Sequence, residues 1–131
     1  MSSPAKDILD YLVSNDIGEP GYDIFYHNGP SGTTNQITVR DTGGIDPELC
    51  LEPSNQIKQP TVQVYLRGKK YKFADVYTKA EQIVALIDQQ TNLIINSNRY
   101  VTIKIMGNIL DMGEDTNECP ELSINFVLRR A

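Results

Sequence analysis

The sequence has few of the residues that metal binding and catalysis usually require. It contains one histidine, His27, and two cysteines, Cys50 and Cys119, which lie far apart. Neither cysteine has the spacing of a zinc or redox site, so both are predicted to be reduced thiols. No nucleophile elbow or phosphate-binding Gly-Lys-Ser/Thr motif occurs. These absences argue against an enzyme and against a bound cofactor or metal, and His27 is predicted to be a solvent-facing residue at a strand end.

The chain also lacks a long apolar run and an excess of positive charge. No stretch approaches the roughly 18–20 apolar residues that span a bilayer, so no membrane association is expected. The 12 Lys and Arg residues are outnumbered by 17 Asp and Glu residues, which gives a net charge of −5. Since clustered basic residues supply most affinity for phosphate backbones, this balance disfavours DNA- or RNA-binding modules. The small basic groups, Arg67–Lys72 and Arg129–Arg130, are predicted to be a solvated turn and a solvated tail.

Size and composition are those of one globular domain. The 131 residues are 40% hydrophobic and 22% charged, which is ordinary globular usage. A chain of this length can bury a core without covalent staples. We therefore predict a single domain over residues 1–131, with no internal repeat.

The first half of the sequence predicts one helix and two strands. Ser3 and Pro4 suit the N-cap and first position of a helix that ends near Asn15. Strands are predicted at Tyr22–His27 and Gln36–Thr42, around a turn-rich loop. The second strand is expected to stop at a tight Gly43–Gly44 turn, followed by an irregular stretch to Pro60.

The second half predicts four further strands and a longer helix. Thr61–Arg67 alternates as a half-buried strand does. The next helix runs from Phe73 to about Gln90, with an apolar face formed by Phe73, Val76, Tyr77, Ala80, Ile83, Val84 and Ile87. Leu93–Ile95 and Arg99–Met106 read as a hairpin whose Val101, Ile103 and Ile105 face the helix. The last strand is Leu122–Leu128.

This order of elements predicts an α+β fold. We expect a mainly antiparallel β-sheet with both helices packed on one face. The other face should carry Gln, Thr, Tyr, Asn and Ser side chains.

Carboxylates cluster in one place, between Asp111 and Glu118. The alternating ligands and mid-loop glycine of a calcium loop are missing. We interpret the run as a charged hairpin tip between two strands, with a contact loop or an acidic channel lining as the alternative.

Three segments together resemble a bacteriophage family of tail terminators, also labelled minor capsid proteins. The first is Val39–Pro47, a strand that leads into Asp-Thr-Gly-Gly and then proline. The second is Gln59–Gly68 with Tyr71 and the helix that holds Tyr77, Lys79, Ala80 and Ile83. The third is Met112–Asp115, leading through Pro120–Glu121 to Leu122–Arg130.

The resemblance implies a ring, commonly of six copies, at the head-proximal end of the tail tube. Such a ring docks on the last layer of major tail tube protein, stops polymerisation and offers a surface to the head-completion or connector protein. DNA would pass through it without specific binding. The alternative is a head-completion or connector subunit of the same phage neck.

Two groups of residues are predicted to form assembly contacts. Asp111, Glu114, Asp115 and Glu118 are expected in the ring lumen or a tail-docking loop. The subunit interface is expected to involve Asp41, Thr42, Gly43, Gly44, Arg67, Lys69 and Lys70. The protein would be located in the virion, and in the host cytoplasm during assembly.

Overall fold

The structure, a computed structural model, describes residues 3–29, 35–48 and 57–130. The elements in these ranges are α1 (Pro4–Ser14), β1 (Ile24–Tyr26), β2 (Gln36–Glu48), β3 (Ile57–Arg67), α2 (Phe73–Ile87), β4 (Gln90–Ile95), β5 (Asn98–Ile105), β6 (Leu110–Glu114) and β7 (Pro120–Arg130).

The strands form one sheet in the order β1-β2-β3-β7-β5-β4, and β6 also pairs with β7. β1 runs parallel to β2, and the other pairings are antiparallel. The sheet is therefore mixed but mainly antiparallel, and the predicted α+β class is confirmed.

Both helices cover one face of this sheet and share a single core. On that face, Val62, Val64 and Leu66 of β3 stand opposite Phe126, Ile124 and Leu122 of β7. All six side chains are buried, as are Ile8 and Leu12 of α1 and Ala80 and Ile83 of α2. Because burial of apolar area is the main favourable term in folding, this layer stabilises the fold.

The first helix is capped as predicted. The Ser3 hydroxyl accepts a hydrogen bond from the backbone N–H of Lys6 at 3.2 Å, and Pro4 occupies the first turn. A side-chain oxygen at the N-cap satisfies one of the free N–H groups of the first turn. α1 ends at Ser14, followed by Asn15 as the C-cap.

The second strand is longer than predicted, and the expected tight turn at Gly43–Gly44 is wrong. β2 continues through both glycines to Glu48, and β3 already begins at Ile57. The glycines occupy a register shift between Asp41 and Gly44, with φ values of 91° and 147°. Such a bulge bends a strand without ending it. Of the predicted irregular stretch, residues 49–56 lie outside the described residues, as does Cys50.

The β4–β5 hairpin is confirmed, with β4 starting at Gln90 rather than Leu93. Asn96 and Ser97 both have positive φ, at 50° and 66°, as a two-residue hairpin turn of matching twist requires. A register shift between Tyr100 and Thr102 alters the predicted inward set. Tyr100 and Ile103 are buried, whereas the predicted Val101 and Ile105 are only half-buried.

β6 was not predicted from the sequence, and β7 is longer than the predicted strand Leu122–Leu128. β6 pairs with the first half of β7, along the same edge that β5 occupies further on. β7 runs on to Arg130, where Tyr100 and Lys58 are its partners on either side. The prediction of Arg129–Arg130 as a solvated tail is therefore wrong, because both arginines are half-buried in a paired strand.

A buried aspartate fastens α1 to the β4–β5 hairpin. Asp7 is fully buried, and its carboxylate accepts hydrogen bonds from Nδ2 of Asn96 at 2.9 Å and of Asn98 at 2.8 Å. It also accepts one from the hydroxyl of Tyr100. Burial, together with this bond to Asp7, raises the pKa of Tyr100 above its usual value. The Arg130 side chain hydrogen-bonds the same hydroxyl, so α1, the β4–β5 hairpin and β7 meet at this network.

The second helix ends at Ile87, not near Gln90, and its buried stripe is narrower than predicted. Val76, Ala80, Ile83 and Ile87 are buried. Phe73 and Tyr77, which the pattern assigned to the same face, are 42% and 39% exposed. The predicted inward orientation of these two aromatic side chains is wrong.

Candidate assembly surfaces

The face of the sheet away from the helices is polar, as predicted. Arg40, Gln63 and Asn125 stand side by side on β2, β3 and β7, and the next row is Thr38, Tyr65 and Ser123. Gln63 donates to the Ser123 hydroxyl at 2.9 Å. Burial, followed by the nearby Glu121 carboxylate, raises the pKa of Tyr65 to about 12. This face therefore holds hydrogen-bonded side chains rather than a second apolar layer.

The acidic run divides into a strand and a turn. Asp111 and Glu114 lie on β6 and are exposed, whereas Asp115 and Glu118 lie in the turn before β7. The Asp115 carboxylate accepts hydrogen bonds from the backbone N–H groups of Asn117 at 2.8 Å and Cys119 at 3.0 Å. The turn is thus shorter than the hairpin tip predicted for Asp111–Glu118, and the Asp115 carboxylate stabilises it. Cys119 is a buried free thiol.

The structure brings one predicted contact residue from each group together. Lys70 Nζ lies 3.1 Å from Glu118 Oε2, and the Tyr71 hydroxyl donates to the same oxygen at 3.0 Å. The Lys70 ammonium also stands 5.0 Å from the centroid of the Tyr71 ring. The basic turn and the acidic turn therefore form one partly neutralised surface.

The other residues of the basic turn differ in exposure. Lys69 and Lys72 are exposed, as predicted for a solvated turn. Arg67 is only 6% exposed, so the prediction that it is solvated is wrong. It closes β3, opposite Gln36 on one side and Glu121 on the other.

Asp41, predicted at a subunit interface, is engaged within the chain. Its Oδ1 accepts the backbone N–H of Ala5 at 2.9 Å, in the first turn of α1, where a carboxylate is favourable. Its Oδ2 lies 3.2 Å from Nε2 of His27. The prediction of His27 as merely solvent-facing is wrong, because it is half-buried and bound to Asp41.

The neighbouring residues form the bend of β2. The Thr42 and Thr61 hydroxyls are 2.8 Å apart. A Cβ on Gly44 would lie 2.8 Å from the carbonyl oxygen of Gln59, so this position needs glycine both for space and for its φ. Gly43 has open space around it. Thr42, Gly43 and Gly44 are all exposed.

An exposed aromatic group was not predicted. Tyr71 is 78% exposed, and the rings of Phe73 and Tyr77 stack with centroids 5.8 Å apart. Tyr71 and Phe73 line a groove together with Asp111 and Glu114. The only signal in the sequence was that Phe73 and Tyr77 lie on one flank of the helical stripe.

The described part of the chain has neither a metal-binding cluster nor a helix that could span a membrane. Residues 3–29, 35–48 and 57–130 contain no group of three or more His, Cys, Asp or Glu side chains placed to hold a metal ion. In the same ranges, neither helix is long and apolar enough to cross a membrane.

The sequence and the fold are both similar to those of known proteins. The family model for the bacteriophage tail terminator protein matches residues 11–131. A chain of the virion of a native gene transfer agent (GTA) particle has a similar fold, with a TM-score of 0.71 and 11% identity over 98% of this chain and 94% of that chain. A second solved structure gives a TM-score of 0.54 and 12% identity over 96% and 89%. Comparison with curated proteins gave no match. The family match covers most of the sequence, and the chain belongs to the bacteriophage tail terminator protein family.

Proposed function

We propose that this chain forms a closed ring at the head-proximal end of a phage tail tube. The ring ends tube polymerisation and offers its other side to the head. The observation that carries this proposal is the family match over residues 11–131. The similar fold in a gene transfer agent virion supports a place in the particle, hence a virion location after assembly in the host cytoplasm.

A ring suits a protein that must stop growth. Heterologous contacts between identical subunits close when the rotation between copies completes a circle, and six copies are proposed here. A closed ring leaves no free subunit interface to continue the tube. The same subunit can then contact the major tail tube protein on one side and the connector protein on the other.

Charge fits a ring through which DNA passes. The net charge of −5 would repel phosphates, so the genome could slide without specific binding. Of the four acidic residues proposed for the lumen or the docking rim, Asp111 and Glu114 are free to act there. Asp115 and Glu118 are engaged within the chain. The exposed rings beside Asp111 and Glu114 favour the rim over the lumen.

Several residues proposed for the subunit interface are exposed and can contact a neighbouring copy directly. Thr42, Gly43, Gly44 and Lys69 present backbone and polar groups at the surface. Arg67 and Asp41 would act indirectly, since Arg67 is buried and Asp41 holds the first turn of α1. Lys70 would have to exchange Glu118 for a partner on the next copy.

A binding experiment separates the proposal from its alternative, a head-completion or connector subunit. Purified chain is mixed with terminator-free tail tubes and, separately, with DNA-filled heads that lack tails, and bound protein is measured after sedimentation. The proposal predicts binding to tube ends in a stoichiometry of about one ring per tube. Binding to heads alone would assign the chain to the connector.

A further inference from the structure

The surface that combines aromatic rings with free carboxylates is the strongest unexplained feature of the molecule. We define the aromatic–acidic surface as Tyr71, Phe73, Tyr77, Asp111 and Glu114. The three rings are 78%, 42% and 39% exposed. Large exposed aromatic side chains that lie together are typical of protein contact sites, where they supply most of the binding energy.

The groove gives this surface a shape. Tyr71, two residues before α2, and Phe73, the first residue of α2, line the groove together with Asp111, Gly113 and Glu114 of β6. Pro120 also lines it. A side chain that enters the groove would therefore contact aromatic rings and carboxylates at once.

The carboxylates in the groove are available to a partner. Within the described residues, neither Asp111 nor Glu114 forms an ion pair. The nearby ammonium of Lys70 is held by Glu118 and the Tyr71 ring. Asp111 accepts one local bond, from the backbone N–H of Gly113 at 2.9 Å. The groove thus keeps two negative charges beside apolar rings.

This combination selects the chemistry of the partner. A guanidinium group stacks on aromatic faces and donates to carboxylates through the same planar group, so it satisfies both sides of the groove. Phosphate backbones would be repelled by the carboxylates. A second copy of this chain is a poorer source of this group, because Arg67 is buried, Arg99 binds Asn92 through its guanidinium, and its other arginines, Arg40, Arg129 and Arg130, are half-buried.

We propose that the aromatic–acidic surface docks a segment of a different particle protein, which presents an arginine next to an apolar side chain. Asp111 and Glu114 bind the arginine, and Phe73 and Tyr77 cover the apolar neighbour. The inference rests on the proposed function only in placing the partner within the tail or neck.

Photo-crosslinking in assembled particles tests this directly. Phe73 is replaced by benzoylphenylalanine in phage that carry the full chain, the particles are irradiated, and the crosslinked peptide is identified by mass spectrometry. The expected product joins this chain to another particle protein, with an arginine within a few residues of the attachment point. Benzoylphenylalanine at Tyr22, an exposed aromatic outside the surface, is the matched control and should not label that peptide.

A charge variant tests the role of the carboxylates. Asp111→Asn with Glu114→Gln should lower the Phe73 crosslink yield about tenfold, which corresponds to the loss of one charged contact. Glu81→Gln, at an exposed position on α2, should leave the yield unchanged. Raised salt should weaken crosslinking in the parent protein more than in the double variant. Circular dichroism of each purified variant verifies that it folds.

Each result decides for or against the inference. A crosslink to a second copy, to DNA or to a peptide without arginine would overturn it. An equal crosslink yield in the parent protein and in the double variant of Asp111 and Glu114 would also overturn it. Tail lengths measured in the same preparations separate this from the proposed function. Unit-length tails without the crosslink would reject the docking partner and leave tail termination standing.

Discussion

Removal of the Asp7 carboxylate should destabilise the fold more than any exposed acidic substitution. In Asp7→Ala, the hydroxyl of Tyr100 and the amide of Asn98 lose an acceptor at a site where their side chains are 0% and 7% exposed. A hydrogen bond to a charged group contributes about 1.5–3 kcal/mol, so the loss of these two buried bonds costs about 3–6 kcal/mol. Asn96 is exposed and can turn to water. The loss is large against the usual total of about 5–15 kcal/mol.

Urea denaturation followed by circular dichroism measures this effect. Asp10→Ala is the matched control, because Asp10 lies on the same helix and accepts from Asn96 at 2.8 Å but is solvent-accessible. Its loss should cost less than about 1 kcal/mol. In the Asp7→Ala background, Tyr100→Phe should cost less than it does alone, since the hydroxyl has already lost this acceptor. Equal stability of Asp7→Ala and Asp10→Ala would refute the reasoning.

Three further predictions concern the bend, the helix and the polar face. Gly44→Ala should cost about 1–3 kcal/mol and more than Gly43→Ala, since both have positive φ but only Gly44 also meets backbone atoms; equal losses in urea denaturation would contradict this. Ile83→Ala should cost about 2–5 kcal/mol as a cavity, whereas Phe73→Ser should cost less than about 1 kcal/mol; a reversed order would contradict the exposure of Phe73. The pKa of Tyr65 is raised to about 12. The neutral Tyr65 hydroxyl therefore contributes fully to the free energy of unfolding below pH 10, and this contribution is lost as the pH rises toward 12. Tyr65→Phe should reduce that alkaline loss in pH-dependent unfolding, and an unchanged pH profile would contradict the cause given for the shift.

Sequence patterns within a few residues predicted much of the fold. Ser3 and Pro4 specify the start of α1 because capping is decided within one turn. The alternation in Thr61–Arg67 identifies the core face of β3 because side chains on a strand alternate strictly between the two faces. The hairpin of Leu93–Ile95 and Arg99–Met106 was likewise predicted from local sequence, because turn residues separate two apolar segments.

The wrong predictions concern segments whose structure is determined by pairing with strands that are distant in the sequence. Gly43–Gly44 suggests a turn in isolation, but pairing with Gln59 and Pro60 on β3 keeps the strand extended through the bulge. β6 has no buried side chain to produce an alternation, so only its pairing with β7 reveals it as a strand.

The aromatic error on α2 has a geometric cause. At about 100° per residue, Ala80, Ile83 and Ile87 fall within about 40° of Val76, whereas Tyr77 lies about 100° away. A broad apolar arc therefore contains a buried stripe and an exposed flank, and the sequence alone does not say how wide the sheet beneath it is. The exposed flank contains Phe73 and Tyr77, which are part of the aromatic–acidic surface.

Tail length tests the central claim most directly. Phage are grown with the gene for this chain inactivated and, in parallel, with the chain supplied in trans, and tail tubes are measured by electron microscopy. The account predicts overlong, headless tubes without the chain and unit-length tails joined to heads when it is restored. Tails of normal length in its absence would contradict the claim that this chain ends tube polymerisation.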